Sequence, residues 1–393
     1  MSVVIREGRE KSLLRRHPWV FSGAIQSFPE GEAGVRKVVA STGRFLAWGW
    51  FDEQSHIPLR LLSWDEDCKP DYDWWRLMVR QSVQRRSSFF VPDSPTNTFR
   101  IIHGEADFLP GVAADVYARS IRVIISSRPA YENRNAIVDE LQSLLNPQSI
   151  VLNTDPAFCG IEKLKEVTEV YPDGADAGET IVRESSIQYS VNLLGGQKSG
   201  FFCDQRENRN RFERYVKNQT VLDLCCYSGA FSLHALRGGA RFVDSVDASK
   251  DALESLKKNL SLNPDLDASR LRTEKADMFE YLRSMPRNKY SVIVLDPPKL
   301  AKTSKGLEEA KKGYKDLNRV AMEKIQDGGI LVTCSCSGAL TREDFRTVIS
   351  WAAKDAKVEA QILETLGQAE DHPIRLAFPE SEYLKVFILR VLK

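Results

Sequence analysis

The chain has no long hydrophobic run, no excess of charge of one sign, no Cys-x-x-Cys pair and no glycine-rich dinucleotide loop. Each absence removes a class of protein. Without about twenty consecutive apolar residues nothing spans a bilayer as a helix, and Met1–Lys11 lacks the apolar core of a secretory signal, which predicts a cytoplasmic protein. With 55 basic against 54 acidic residues and a formal charge of +1, no global polycation announces nucleic acid. Any RNA surface must therefore be local. Seven cysteines, an odd count without regular spacing, argue against a disulfide framework. The close pairs are adjacent (Cys225, Cys226) or one residue apart (Cys334, Cys336), so no structural metal is expected. The question becomes whether one thiol is a nucleophile.

What is present is organised around Val221–Ala235. A short apolar run whose only charge is Asp223 breaks at Tyr227-Ser228-Gly229 and resumes at helical spacing, the pattern of a buried strand turning sharply into a helix. In a doubly wound α/β sheet that turn takes a nucleotide-like ligand: Gly229 would let backbone approach it, and the helix N-terminus would offer free N–H groups. About twenty residues on, a second strand ends in Asp247, where such folds grip a ribose. The turn has one glycine, not the Gly-x-Gly-x-x-Gly of a dinucleotide site, so S-adenosylmethionine fits better than NAD.

Three regions are expected, at 1–70, 71–190 and 191–393. The first is β-rich, with its clearest strands in Gly43–Phe51 and Ile57–Ser63. There Arg6, Arg9, Lys11, Arg15 and Arg16 precede the aromatic loop His17–Gly23, a combination suited to phosphate contact and base stacking or, equally, to a solvated face. The second opens with a helix over Asp71–Phe90, with Trp74, Leu77 and Met78 on one side, and continues as a compact α/β domain without a chemical motif. Gly195–Arg209 reads as a loop closing over the ligand or substrate. In the third, a strand ending at Asp277 places an acid where an adenine amino group would lie, with Met278 or Phe279 against the ring.

The most specific motif is Tyr290–Lys299, a fully apolar strand ending in Asp296-Pro297-Pro298-Lys299. The prolines fix the backbone and remove donors, so the Asp296 carboxylate faces the crevice. Gly328–Gly338 is a further strand of this kind, whose carboxyl end should lie beside that of the Asp-Pro-Pro strand. Cys334 belongs to the buried strand, whereas Cys336 stands at its end in Ser335-Cys336-Ser337-Gly338, the position of a nucleophile. Two antiparallel strands are expected to close the sheet, with the polar loop Glu370–Pro373 between them; the proton-abstracting base stays unnamed, and Asp371 and His372 are candidates for it by position alone.

With these motifs, the chain resembles, over nearly its full length, the bacterial RlmI-like family of 23S ribosomal RNA cytosine-5 methyltransferases. Arg16–Ala24 is similar to the opening of that family's PUA domain, and Gly104–Gly111 and Gly196–Arg206 look like family motifs. The resemblance implies an α/β fold: an N-terminal β-rich PUA domain, a central small α/β domain and a C-terminal Rossmann-like class I methyltransferase domain. It implies S-adenosylmethionine at Asp223, Tyr227, Gly229, Asp247, Asp277, Gln205 and Arg206, and RNA at Lys198, Pro297, Pro298, Lys299, Arg15 and Arg16. Cys336 is implied as nucleophile and Asp296 as the acid facing the base. The implied partner is large-subunit ribosomal RNA, with no membrane and no metal; a homodimer is compatible with it. Two departures stand out: Asn153–Gly160 lacks an expected Arg-Ser element, and Phe108 replaces a usual glycine. Uracil-5 methylation shares the thiol logic. An exocyclic amino methyltransferase would want an aromatic residue where Lys299 stands, and a non-catalytic RNA-binding protein would have little use for Asp296 and Cys336.

Overall fold

A computed structural model of the chain describes residues 2–28, 31–195, 200–300 and 306–393. They divide into two units, Met1–Val182 with Val191–Phe201 and Glu370–Ser381, and Arg183–Ser190 with Phe202–Ala369 and Glu382–Lys393.

The first unit holds a six-stranded sheet within residues 3–63 and a five-stranded sheet within residues 98–171. Alternating apolar residues place the expected strands at Phe45–Phe51 and Leu59–Ser63. The helix expected near Asp71 runs over Tyr72–Arg85, started by the Asp71 carboxylate accepting from the Trp74 N–H at 2.9 Å. Its buried face turns on Trp74, Trp75 and Val79, while Leu77 is 41% exposed. The adjacent tryptophans rotate the helix because their area outweighs that of leucine. Phe108 has φ 65°, a left-handed conformation that explains why glycine is the easier occupant. The Arg375 guanidinium lies 4.3 Å from its ring centroid, a contact glycine would forgo.

The second unit is a seven-stranded sheet: β1 (Thr220–Leu224), β2 (Phe242–Asp247), β3 (Leu271–Lys275), β4 (Val292–Leu295), β5 (Ile330–Ser335), β6 (Glu359–Leu366) and β7 (Lys385–Leu392). Their order is β3-β2-β1-β4-β5-β7-β6. Neighbours among β1 to β5 are parallel, and β7 runs antiparallel to both β5 and β6. The order reverses between β1 and β4, which opens a ligand crevice at their carboxyl ends. Burial on both faces explains the unbroken apolar run of β4. Helices α3 (Met278–Ser284), α4 (Leu307–Lys324) and α5 (Arg342–Ala356) share one core with Leu222, Leu224, Ile293, Leu295, Leu331 and Phe387. Two other helices, α1 (Ala230–Arg237) and α2 (Lys250–Ser261), follow β1 and β2. Beneath α1 lies a buried charged network. Arg209 donates to both Glu184 carboxylate oxygens at 2.7 Å, and His234 sits 3.4 Å from Glu184 and 2.5 Å from Glu213.

Candidate active site

Side chains two apart along a strand share a face, so register decides which groups meet. Asp223 is abreast of Val294, which is abreast of Val332. Two residues further, Asp296 leaves β4 beside Cys334 of β5, and Cys336 follows two residues beyond Cys334, just past the end of the strand. Cys334 is fully buried, and burial pushes its thiol well above the ordinary range, with the Asp296 charge adding to the effect. Cys336 lies past the end of β5 and is partly exposed. Asp296 is held in place: its Oδ2 accepts from Gln205 Nε2 at 3.1 Å. Asn208 Nδ2 in turn donates to Gln205 Oε1 at 2.6 Å and to the Gly367 carbonyl at 2.9 Å.

The turn after β1 is bent by residues that resist it. Cys225 and Tyr227 have φ of 63° and 48°, and Gly229 has 83°. Non-glycine residues in this region cost of the order of 1–3 kcal/mol each and persist where surrounding contacts over-determine them. Here the Tyr227 N–H donates to Asp247 Oδ2 at 2.9 Å, and the Cys226 N–H to the Val246 carbonyl at 3.1 Å. The other Asp247 oxygen accepts from the Ser249 N–H at 2.8 Å. Gly229 is required by packing as well as by φ: a Cβ there would lie 2.3 Å from Leu256 Cγ on α2. The space a side chain would need at Gly229 is thus taken by a helix.

Asp223 is 1% exposed and accepts from Ser232 Oγ of α1 at 2.6 Å, tying strand to helix. Burial raises its carboxyl to about 7, with Asp296 and Asp247 contributing. A raised carboxyl favours the protonated form in the fold, so Asp223 withdraws stability as pH rises from the ordinary carboxyl range towards 7. Asp277 caps α3, accepting from the Phe279 and Glu280 N–H groups at 2.9 and 3.2 Å. Burial pushes the Cys225 thiol up, and Asp247, Asp296, Asp223 and Asp277 push it further, so all four acids gather around this turn.

Arg206 is buried at the start of its helix and pairs with Glu207 at 3.1 Å. Pro297 is buried, and Pro298 and Lys299 are exposed. Lys198 lies outside the described residues. Arg15 and Arg16 are exposed in the first unit. Asp371 and His372 also belong to that unit and are buried, at 1% and 3% exposure. Asp371 Oδ2 accepts from the Arg100 N–H at 2.8 Å, and its carbonyl accepts from Arg86 at 3.0 Å. Sequence position alone suggested them; the ordering of polar groups in the first unit takes them up. Asn208 and the buried Lys385, which the sequence reading missed, carry no local motif. Among the described residues no cluster of three or more His, Cys, Asp or Glu side chains could hold a metal, and no helix is long and apolar enough to cross a membrane.

Residues 170–374 match the S-adenosylmethionine-dependent methyltransferase family, and residues 3–64 match the PUA-like domain family. The sheet order, the switch-point turn and this match define an S-adenosylmethionine-dependent methyltransferase with an N-terminal PUA-like domain. A solved methyltransferase complexed with SAH shares the fold, at a TM-score of 0.86 and 22% identity over 99% of this chain and 100% of that one. So does a methyltransferase from Streptococcus mutans, at 0.84 and 22% over the same shares. The ribosomal RNA large subunit methyltransferase I of Tolumonas auensis is 39% identical over 100% of this chain and 99% of its own. That of Aeromonas salmonicida is 38% identical over 99% and 100%. The chain belongs to the ribosomal RNA large subunit methyltransferase I family.

The residues present fit the cofactor. It is a cationic sulfonium, and among the described residues no basic side chain forms an ion pair with Asp223, Asp247 or Asp277. Asp247 and Asp277 therefore present uncompensated negative charge to a cation, whereas the buried Asp223 serves the strand–helix tie. Both Asp247 oxygens also keep a lone pair beyond their backbone bonds, enough for ribose hydroxyls.

Proposed function

We propose that the protein forms 5-methylcytosine in large-subunit ribosomal RNA, with Cys336 as covalent nucleophile and Asp296 as the acid on the base edge. The observation that carries the reading is the pairing at two neighbouring strand ends. A partly exposed thiol leaves β5 while a carboxylate fixed by Gln205 leaves β4. The relatives named for large-subunit ribosomal RNA supply the substrate. The PUA-like domain supports it with Arg6, Arg9, Lys11, Arg15 and Arg16, each exposed, and with Phe21, which is 50% exposed.

The chemistry explains why both groups are needed. Carbon 5 of a pyrimidine is a weak nucleophile, and the Cys336 thiolate, by bonding to carbon 6, makes carbon 5 enamine-like. Asp296 hydrogen-bonds the base and delivers a proton to the ring nitrogen during that attack. Asp247 and Asp277 with the Tyr227–Gly229 turn would hold S-adenosylmethionine, which would supply the methyl group for the carbon 5 bond with its sulfur leaving as a neutral thioether. Loss of the carbon 5 proton to a base then expels the Cys336 sulfur with its electron pair and restores the 5,6 double bond, and the ring nitrogen returns its proton to Asp296. The base must be unpaired or flipped, because a stacked ring is closed to attack from its face.

Two consequences are measurable. Asp247→Ala should weaken S-adenosylmethionine binding by about tenfold to a hundredfold, from lost hydrogen bonds to a charged acceptor. Unchanged affinity by calorimetry would remove Asp247 from the ribose. Asp296→Asn should lower kcat by about 10² to 10⁴, the range for a lost acid-base group, with cofactor affinity unchanged. A variant of normal kcat would place the acid elsewhere.

The reading itself is tested by incubating the protein with methyl-labelled S-adenosylmethionine and large-subunit RNA from cells lacking it, then digesting to nucleosides. Labelled 5-methylcytidine is expected. Labelled 5-methyluridine would keep the thiol chemistry and change the base; label on an exocyclic amine would contradict both.

A further inference from the structure

Lys385 begins β7, with its Cα paired across the strands to that of Ser335, the residue before Cys336. It is 1% exposed, yet among the described residues no carboxylate forms an ion pair with it. Lysines are almost never fully buried unless paired. Its Nζ donates instead to the Ser337 carbonyl at 2.6 Å and the Tyr383 carbonyl at 2.8 Å, which sets the ammonium beneath the loop that carries Cys336. A third donor remains. The groups around it are few. Cys336 and Glu382 favour its charge, and Arg342 and Lys299 oppose it. Glu382 is committed to Arg342 at 2.8 Å, which leaves the thiol as the anion the ammonium lacks. The Cys336 charge also reaches Cys334 and Tyr314, whose hydroxyl lies 3.2 Å from Ser337 Oγ.

We propose that Lys385 is a positioning residue whose buried ammonium holds Cys336 as the thiolate. The proposal rests on Cys336 being the nucleophile. Burial lowers Lys385 to about 8, so the ammonium is present at neutral pH and is lost as pH rises through that value. Below it, the thiol proton goes to solvent and the lysine keeps its own. Neither charge then stands alone in the interior.

The test is the rate at which iodoacetamide alkylates Cys336 in the full-length protein, read across a pH series by mass spectrometry of the Cys336 peptide. Lys385→Met removes the charge and its hydrogen bonds, whereas Lys385→Gln keeps an N–H donor for the Ser337 carbonyl and removes the charge alone. Calorimetric S-adenosylmethionine binding certifies that each variant is folded. In a folded variant the alkylation profile should move to higher pH by about one unit, with a rate near neutrality about tenfold lower. An unshifted profile in folded Lys385→Gln overturns the proposal. The nucleophile reading fails separately: full methyl transfer by Cys336→Ser would remove it whatever the alkylation profile shows.

Discussion

Replacing Cys336 with serine is expected to abolish methyl transfer, by at least about 10³-fold in kcat, while S-adenosylmethionine still binds. A serine hydroxyl in that place is too weakly acidic to add to carbon 6, and the other thiol of β5, Cys334, is fully buried. The cofactor turn is built from β1 and β2, so its acids and backbone donors are untouched. Cys334→Ser is the internal control. Its sulfur is fully buried, lies abreast of Asp296 and accepts or donates against Gln205, so the substitution perturbs packing without removing the attacking atom. Activity within about tenfold of the parent is expected there, the range of a modest packing loss. Steady-state kinetics with calorimetry on both variants separates the two thiols. A dead Cys334→Ser beside an active Cys336→Ser would reverse their roles.

Glu184→Ala should cost about 3–5 kcal/mol of stability, because removing one partner leaves a buried charge unpaired. Arg209 is 2% exposed, and both its bonds to Glu184 are lost together. Burial alone would raise the Glu184 carboxyl; Arg209 and His234 overcome it and hold the carboxyl below its ordinary range. A depressed carboxyl contributes stability above the unfolded-state value of about 4.3 and loses it as pH falls through the folded value. Denaturant melts of the parent should therefore weaken on acidification below that value, and the variant should show less of this dependence. Equal midpoints for parent and variant at neutral pH would show the network to be energetically idle.

Much of this was legible in the chain because the chemistry lies in contiguous residues. The apolar runs before Asp296 and Cys336 predict parallel strands, and those strands form side by side. Asp247 was legible through its distance from the first turn. The parts that were not legible depend on partners remote in sequence. Gln205 read as part of a closing loop, but it holds Asp296, because Asn208 and the Gly367 carbonyl fix its amide. Gly229 was read from its turn alone, and the packing of Leu256 on α2 into the space a side chain would need could not be read there. Lys385 carries no signal in the chain, because only the antiparallel pairing with β5 sets it against the Ser337 carbonyl. Asp371 and His372 sit between two strands of the second unit in sequence and fold into the first. Local pattern reports an element and its face; which distant group fills the space above that face is set by topology.

The covalent adduct is the claim on which the mechanism turns. RNA carrying 5-fluorocytidine at the target, incubated with the protein and S-adenosylmethionine, blocks the last step because carbon 5 then has no proton to lose. A protein–RNA species that survives denaturation should accumulate, and its digested peptide should carry the nucleotide on Cys336. A product released without such a species, or an adduct on any other residue, would contradict the account.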